Sequence, residues 1–163
     1  MQLISYKLYG NPFASWGDYL VALLSFGRYS HSEIRFSNGE SLAIYVGKKA
    51  ELRARTYLPV DTWEVTELHI SSREEQMLYR YVKDNIVGKS YDYGGAMLSI
   101  FGICTLQSKD KVFCSEAVAD LLKMTKIYSG LKKGCKYSPV SLHKAVIAIN
   151  DDDSITKEYD YSL

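Results

Sequence analysis

The hydrophobic period of this chain changes near residue 70, and that change constrains its fold more than any other feature. Before it, apolar and polar residues alternate, as where Ile4, Tyr6 and Leu8 stand against Ser5 and Lys7. After it, apolar residues recur three and four apart, as in Leu78, Tyr81 and Val82. A period of two places side chains on alternate faces of a strand, and a period near 3.6 lines one face of a helix. Strands cluster first and helices mostly follow, which predicts α+β rather than an alternating parallel α/β fold.

Within this frame, residues 2–9 read as a strand broken by Asn11-Pro12. Asp18 to Phe26 reads as a short helix capped by Asp18 and stopped by Gly27. HSEIRF and ESLAIYV flank Ser37-Asn38-Gly39, a hairpin signal. A two-residue Asn38-Gly39 turn pairs Ser37 with Glu40 and sets His31 opposite Val46. Further strands are expected at 50–58 and 62–70. Ser72 and Glu75 have capping-box spacing ahead of a helix that Gly88 closes. The Gly- and Tyr-rich GKSYDYGGAMLSIFG holds a short helix around 96–100. A helix runs from Cys114–Ser115 to about Met124, and a last one opens at Ser138-Pro139. Residues 1–149 form one domain and 150–163 an acidic C-terminal tail.

Composition narrows the function classes. At 163 residues the chain can bury a core of its own. A net charge of +1 argues against a polyanion binder, so no specific nucleic-acid partner is expected. There is no apolar run near the ~20 residues that span a bilayer, and the alternating N-terminus does not read as a signal peptide. Three cysteines without a CxxC pair predict reduced thiols, a reducing compartment and a cytoplasmic protein. Cys104 and Cys135 read as structural, and no metal or cofactor is implied. Lys123, Lys126, Lys132, Lys133 and Lys136 fall within 14 residues. They read as a solvated face, with an anionic ligand, membrane surface or nucleic acid as the lesser reading.

The chemistry centres on Cys114, where an extended Val112-Phe113 hands over to an amphipathic helix. Free N–H groups and the dipole at a helix N-terminus favour thiolate and can hold an oxyanion. His31 opens the strand HSEIRF, and Glu33, two residues on, shares its face and can orient the ring. The alternative for Cys114 is a small buried hydrophobe, and for His31 and Glu33 a polar stripe on an edge strand. His143 reads as a helix-surface residue.

Taken together, YSHSEIRF, GKSYDYGG, VFCSEAVADLL and YSPVSLHKAV resemble the circularly permuted papain-like branch of the NlpC/P60 superfamily. The most similar members are YiiX/YaeF-type amidases and bacteriophage proteins of similar length. In that branch the histidine strand precedes the cysteine helix, as His31 precedes Cys114 by 83 residues here. The resemblance implies an antiparallel sheet packed on a cysteine-bearing helix, with Cys114 as nucleophile and His31 as base. A third, orienting group falls to Glu33, with Glu40 or a backbone carbonyl as alternatives. Tyr91, Tyr45, Ser115 and Glu116 are the expected substrate contacts, although Glu116 also suits a helix-capping role. The function implied is a thiol hydrolase that cleaves a peptide, amino-acyl amide or ester bond through a thioacyl-enzyme. Two alternatives stay open: an acyltransferase using the same cysteine, and a non-catalytic binding or inhibitory module directed at a host protein.

Overall fold

The computed structural model describes residues 1–8, 27–101, 103–104 and 110–152. The expected helix at 18–26 and nearly all of the acidic tail lie outside them. Five antiparallel strands form one sheet: β1 (Gln2–Lys7), β2 (Tyr29–Arg35), β3 (Glu40–Ala43), β4 (Glu51–Ala54) and β5 (Trp63–Glu67). Their spatial order is β4-β3-β2-β1-β5. The helices are α1 (Ser72–Asn85), α2 (Tyr93–Ser99), α3 (Cys114–Leu122) and α4 (Pro139–Asn150). Two short strands, β6 (Ser90–Tyr91) and β7 (Lys111–Val112), pair in parallel and lead the chain into α2 and α3. The architecture is α+β.

Leu3, Ile34 and Leu42 lie side by side across β1, β2 and β3 and share one core with Leu78 and Val82 of α1 and with Val118, Leu121 and Leu142. Strand β2 is therefore central, and every residue from Tyr29 to Ile34 is buried. That placement removes the edge-strand reading of His31 and Glu33.

The hairpin differs from expectation by one residue. Phe36 N–H donates to the Glu40 carbonyl, Gly39 N–H donates to that of Phe36, and Ile34 pairs with Leu42. The loop is thus three residues long, with Gly39 in the left-handed region at φ 85°. A one-residue register shift moves side chains to the other face. It sets Tyr45, not Val46, on the side of His31, where the two rings stack. The cap of α1 is also displaced by one, since Ser71 and Glu74 form the box. Glu75 is left to accept from the Ser37 N–H and hydroxyl, tying α1 to the hairpin loop.

Three side chains stand elsewhere than expected. Cys104 and Cys135 are joined in a disulfide across 31 residues, leaving Cys114 as the free cysteine among the described residues. This corrects the expectation of three reduced thiols. His143 is buried rather than on a helix surface. Its Nδ1 lies 3.0 Å from the Ser5 hydroxyl, and its Nε2 lies 3.3 Å from the Tyr29 hydroxyl and 3.4 Å from a Glu64 oxygen. Burial holds its ring below the ordinary histidine pKa. Among the described residues no helix is long and apolar enough to cross a membrane.

Candidate functional site

Strand β3 pairs with β2 only through Ile34–Leu42 and Arg35–Ser41. The chain then leaves the sheet after Ala43 and turns at Tyr45–Lys48, where Lys48 N–H donates to the Tyr45 carbonyl. The departure frees the N-terminal half of β2 on that side, and α3 packs against β2. Hydrogen bonding from the Ser32 backbone, and from that of Ser115 in the first turn of α3, lowers the pKa of the Cys114 thiol. The charge and hydrogen bonding of the His31 imidazole act on the same thiol.

Glu33 completes the line. Its carboxylate is fully buried, and Oε1 lies 3.1 Å from Nε2 of His31. With Nε2 engaged there, Nδ1 is the ring nitrogen left for the thiol. Tyr45 donates its hydroxyl to Glu33 Oε1 at 2.6 Å and stacks its ring on His31 at 4.6 Å between centroids. Arg55 grips both carboxylate oxygens, with Nη2 2.6 Å from Oε1 and Nε 3.1 Å from Oε2. Its guanidinium also sits 4.9 Å from the Trp63 ring centroid, and Trp63 meets His31 edge-on. A buried carboxylate is tolerated when its lone pairs are filled and its charge is matched, and these donors do both.

The electrostatics follow from that packing. Burial disfavours the imidazolium of His31, but the neighbouring sulfur's charge and hydrogen bond, then those of Glu33, outweigh it and raise the ring's pKa. Burial also pushes the Cys114 thiol up. The charge and hydrogen bond of His31, with the N–H groups of Ser32 and Ser115, outweigh that and lower it. Glu33 pays a burial penalty too, yet His31 and Arg55 hold it down at about 2. Both shifts run towards a thiolate beside an imidazolium, oriented by a carboxylate. A thiolate so held can attack an electrophilic carbonyl carbon, and the ring can supply the proton to what leaves.

The expected substrate contacts are placed differently. Tyr45 is in the site, but it covers His31 and binds Glu33, which is a positioning task. Tyr91 packs edge-on against Tyr93 and against the core. The Ser115 hydroxyl is buried and donates to the Tyr137 carbonyl at 2.7 Å, so only its N–H faces the sulfur. The Glu116 carboxylate accepts from the Phe113 N–H at 3.4 Å, closing a cap on α3. It lines a separate cavity of about 350 Å³ with Lys89, Lys111 and Asp120. Neither Ser115 nor Glu116 offers its side chain beside the Cys114 sulfur. Gly134 lets the following turn approach closely, because a Cβ there would lie 2.4 Å from the Glu116 carbonyl. Glu40, the other candidate for the orienting role, instead accepts from Tyr79 and Asn38 at the hairpin loop.

Glu116 gives a pH signature. Burial, then the nearby charges of Asp120 and Asp92, raise its pKa to about 7 against the Phe113 hydrogen bond. A raised carboxyl pKa favours the fold at acid pH, and that contribution is lost as pH rises from about 4.5 towards 7. Glu116→Gln keeps the cap without the charge. It is expected to melt with wild type near pH 5 and about 2–4 °C above it near pH 8, read by thermal denaturation.

Arg55 is the site residue that the sequence reading missed. Its signal is indirect: a carboxylate on a strand buried on both faces needs a cation, and Arg53 lies in β4 with Arg55 directly after it, two strands away from β2. Among the described residues, no group of three or more His, Cys, Asp or Glu side chains is placed to hold a metal ion. Compared with protein-family models, curated proteins and solved structures, the chain has no significant match.

Proposed function

We propose that this protein is a thiol hydrolase of the permuted papain-like kind, acting on an amide or ester carbonyl. The observation that carries the reading is the buried line Cys114–His31–Glu33, with Arg55 and Tyr45 fixing the carboxylate. The Cys114 thiolate attacks the carbonyl carbon, forming a C–S bond and moving the carbonyl π electrons onto oxygen. N–H groups at the start of α3 stabilise that oxyanion. Its collapse breaks the C–N or C–O bond, and the imidazolium of His31 gives its proton to the leaving amine or alcohol. Neutral His31 then takes a proton from water, whose oxygen attacks the thioester and releases the acid. Thiolate and imidazolium are restored.

The test is intact-protein mass spectrometry after mixing with a panel of p-nitrophenyl esters, amino-acyl amides and short peptides. The expected result is one acyl adduct on Cys114, formed with a burst of leaving group and absent from Cys114→Ala. If no member of the panel acylates Cys114, the hydrolase reading falls and the binding-module reading takes its place. Added amine or alcohol acceptors that divert the acyl group from water in proportion to their concentration mark a transferase.

A further inference from the structure

From Tyr93 to Ser108 the chain runs YGGAMLSIFGICTLQS, without a charged side chain. Its first part forms α2, where Tyr93 and Met97 stand four apart on one helix face, and Phe101 lies in the turn that follows. All three are exposed, Phe101 by 67%, and so is Ile103. Val46, 61% exposed, joins them. A Cβ on the adjacent Gly47 would lie 3.7 Å from the Tyr93 hydroxyl, so the turn after β3 abuts the start of α2. Five exposed large apolar side chains on α2, the turn after it and the adjoining turn after β3 exceed the scattered exposure of an ordinary surface.

Lysines border this face. Lys48 and Lys49 follow Val46 and are exposed. Lys132 and Lys133 are exposed where the chain enters the 3₁₀ turn Gly134–Lys136, which packs on α2. The Cys104–Cys135 bridge ties that turn to the segment following Ile103. Among the described residues Lys48, Lys49 and Lys132 have no ion-pair partner.

We propose that this face docks on an anionic phospholipid bilayer. Apolar and aromatic side chains settle at the boundary between headgroups and acyl chains, while lysines at the border stay with the lipid phosphates. A second copy of this chain fits less well, because a twofold interface sets the patch against itself and brings lysine against lysine. The patch starts one residue from Tyr45, whose ring stacks on His31, so docking brings the lipid surface towards the Cys114 side of the fold. The docking stands independently of the reaction proposed above.

Cosedimentation of the full chain with vesicles tests it, using phosphatidylcholine alone against phosphatidylcholine with about a third phosphatidylglycerol. The expected result is binding to the anionic vesicles at least about tenfold stronger, weakening as salt is raised. Phe101→Asp and Met97→Asp abolish binding, and Lys48→Glu with Lys49→Glu removes the anionic preference. These positions are exposed, so each variant keeps the wild-type melting temperature. Equal affinity for the two vesicles, no binding to either, or binding retained by Phe101→Asp overturns the proposal. A concentration-dependent dimer that Phe101→Asp dissolves overturns it in favour of self-association. Cys114→Ala is expected to bind vesicles as wild type does, so loss of docking and loss of thiol chemistry are read separately.

Discussion

Replacing His31 with alanine is expected to slow iodoacetamide alkylation of Cys114 near pH 6 by about tenfold or more. An ordinary thiol is only about 0.3% thiolate near that pH. The Cys114 thiol beside the His31 imidazolium is held below its ordinary pKa, because the ring's charge and the N–H groups of Ser32 and Ser115 outweigh burial, so more of it is thiolate at that pH. Full ionisation sets the upper bound on that gain, about 300-fold. A less basic thiolate is also less nucleophilic, with a Brønsted slope of ~0.4–0.5, so roughly half of the logarithm of that gain survives.

The pH profile separates this cause from a mere change of access. Wild type should alkylate at a rate that rises far less steeply with pH than a free thiol's from mildly acid to mildly alkaline pH, since its thiol is held below the ordinary pKa. His31→Ala should rise about tenfold per pH unit across the same range, as a free thiol does, and meet or pass wild type in alkali. His31→Gln makes the same prediction with a side chain closer in size. If both variants slow alkylation by a constant factor at every pH, the thiolate–imidazolium pair is refuted and His31 acts only through packing.

The two halves of this site differed in how far they could be read from sequence. Cys114 at a helix N-terminus and His31-x-Glu33 on a strand are local patterns: helical and strand periods place them without knowledge of the fold. The hairpin was legible for the same reason, yet its register was not. Asn38-Gly39 suits both a two-residue turn and the three-residue loop that forms, with Gly39 at φ 85°. That single residue exchanged Tyr45 for Val46 opposite His31 and hid the ring that covers the imidazole. The remaining partners are set by the packing of distant segments. Arg55 meets Glu33 across 22 residues, Cys104 meets Cys135 across 31, and His143 meets Ser5 across 138. No periodicity encodes such meetings. The carboxylate of Glu33 announced only that some cation had to find it once β2 was buried on both faces.

That requirement makes Arg55 the most consequential position outside the Cys–His pair. Arg55→Met removes both hydrogen bonds to Glu33 while keeping much of the stem that packs near Trp63. Breaking one side of a buried ion pair costs about 3–5 kcal/mol, because the other charge stays buried. Here 17% of the Arg55 side chain is exposed and His31 still faces Glu33, so the lower end applies. At about 2–4 °C per kcal/mol for a chain of this size, melting should fall by roughly 6–12 °C at neutral pH. The acid limb carries the sign. Glu33 is held at about 2 in the fold, so its stabilisation is full above the ordinary carboxylate value and lost as pH falls towards 2. Without Arg55 its folded pKa rises, and acid unfolding should begin at higher pH. Glu33→Gln combined with Arg55→Met leaves no buried charge unmatched at that contact, and should recover part of the loss. A cycle of the two single variants and the double measures this coupling directly. If Arg55→Met melts with wild type and its acid limb does not move, Arg55 is not the counter-charge of Glu33. The carboxylate would then depend on His31 and Tyr45 alone.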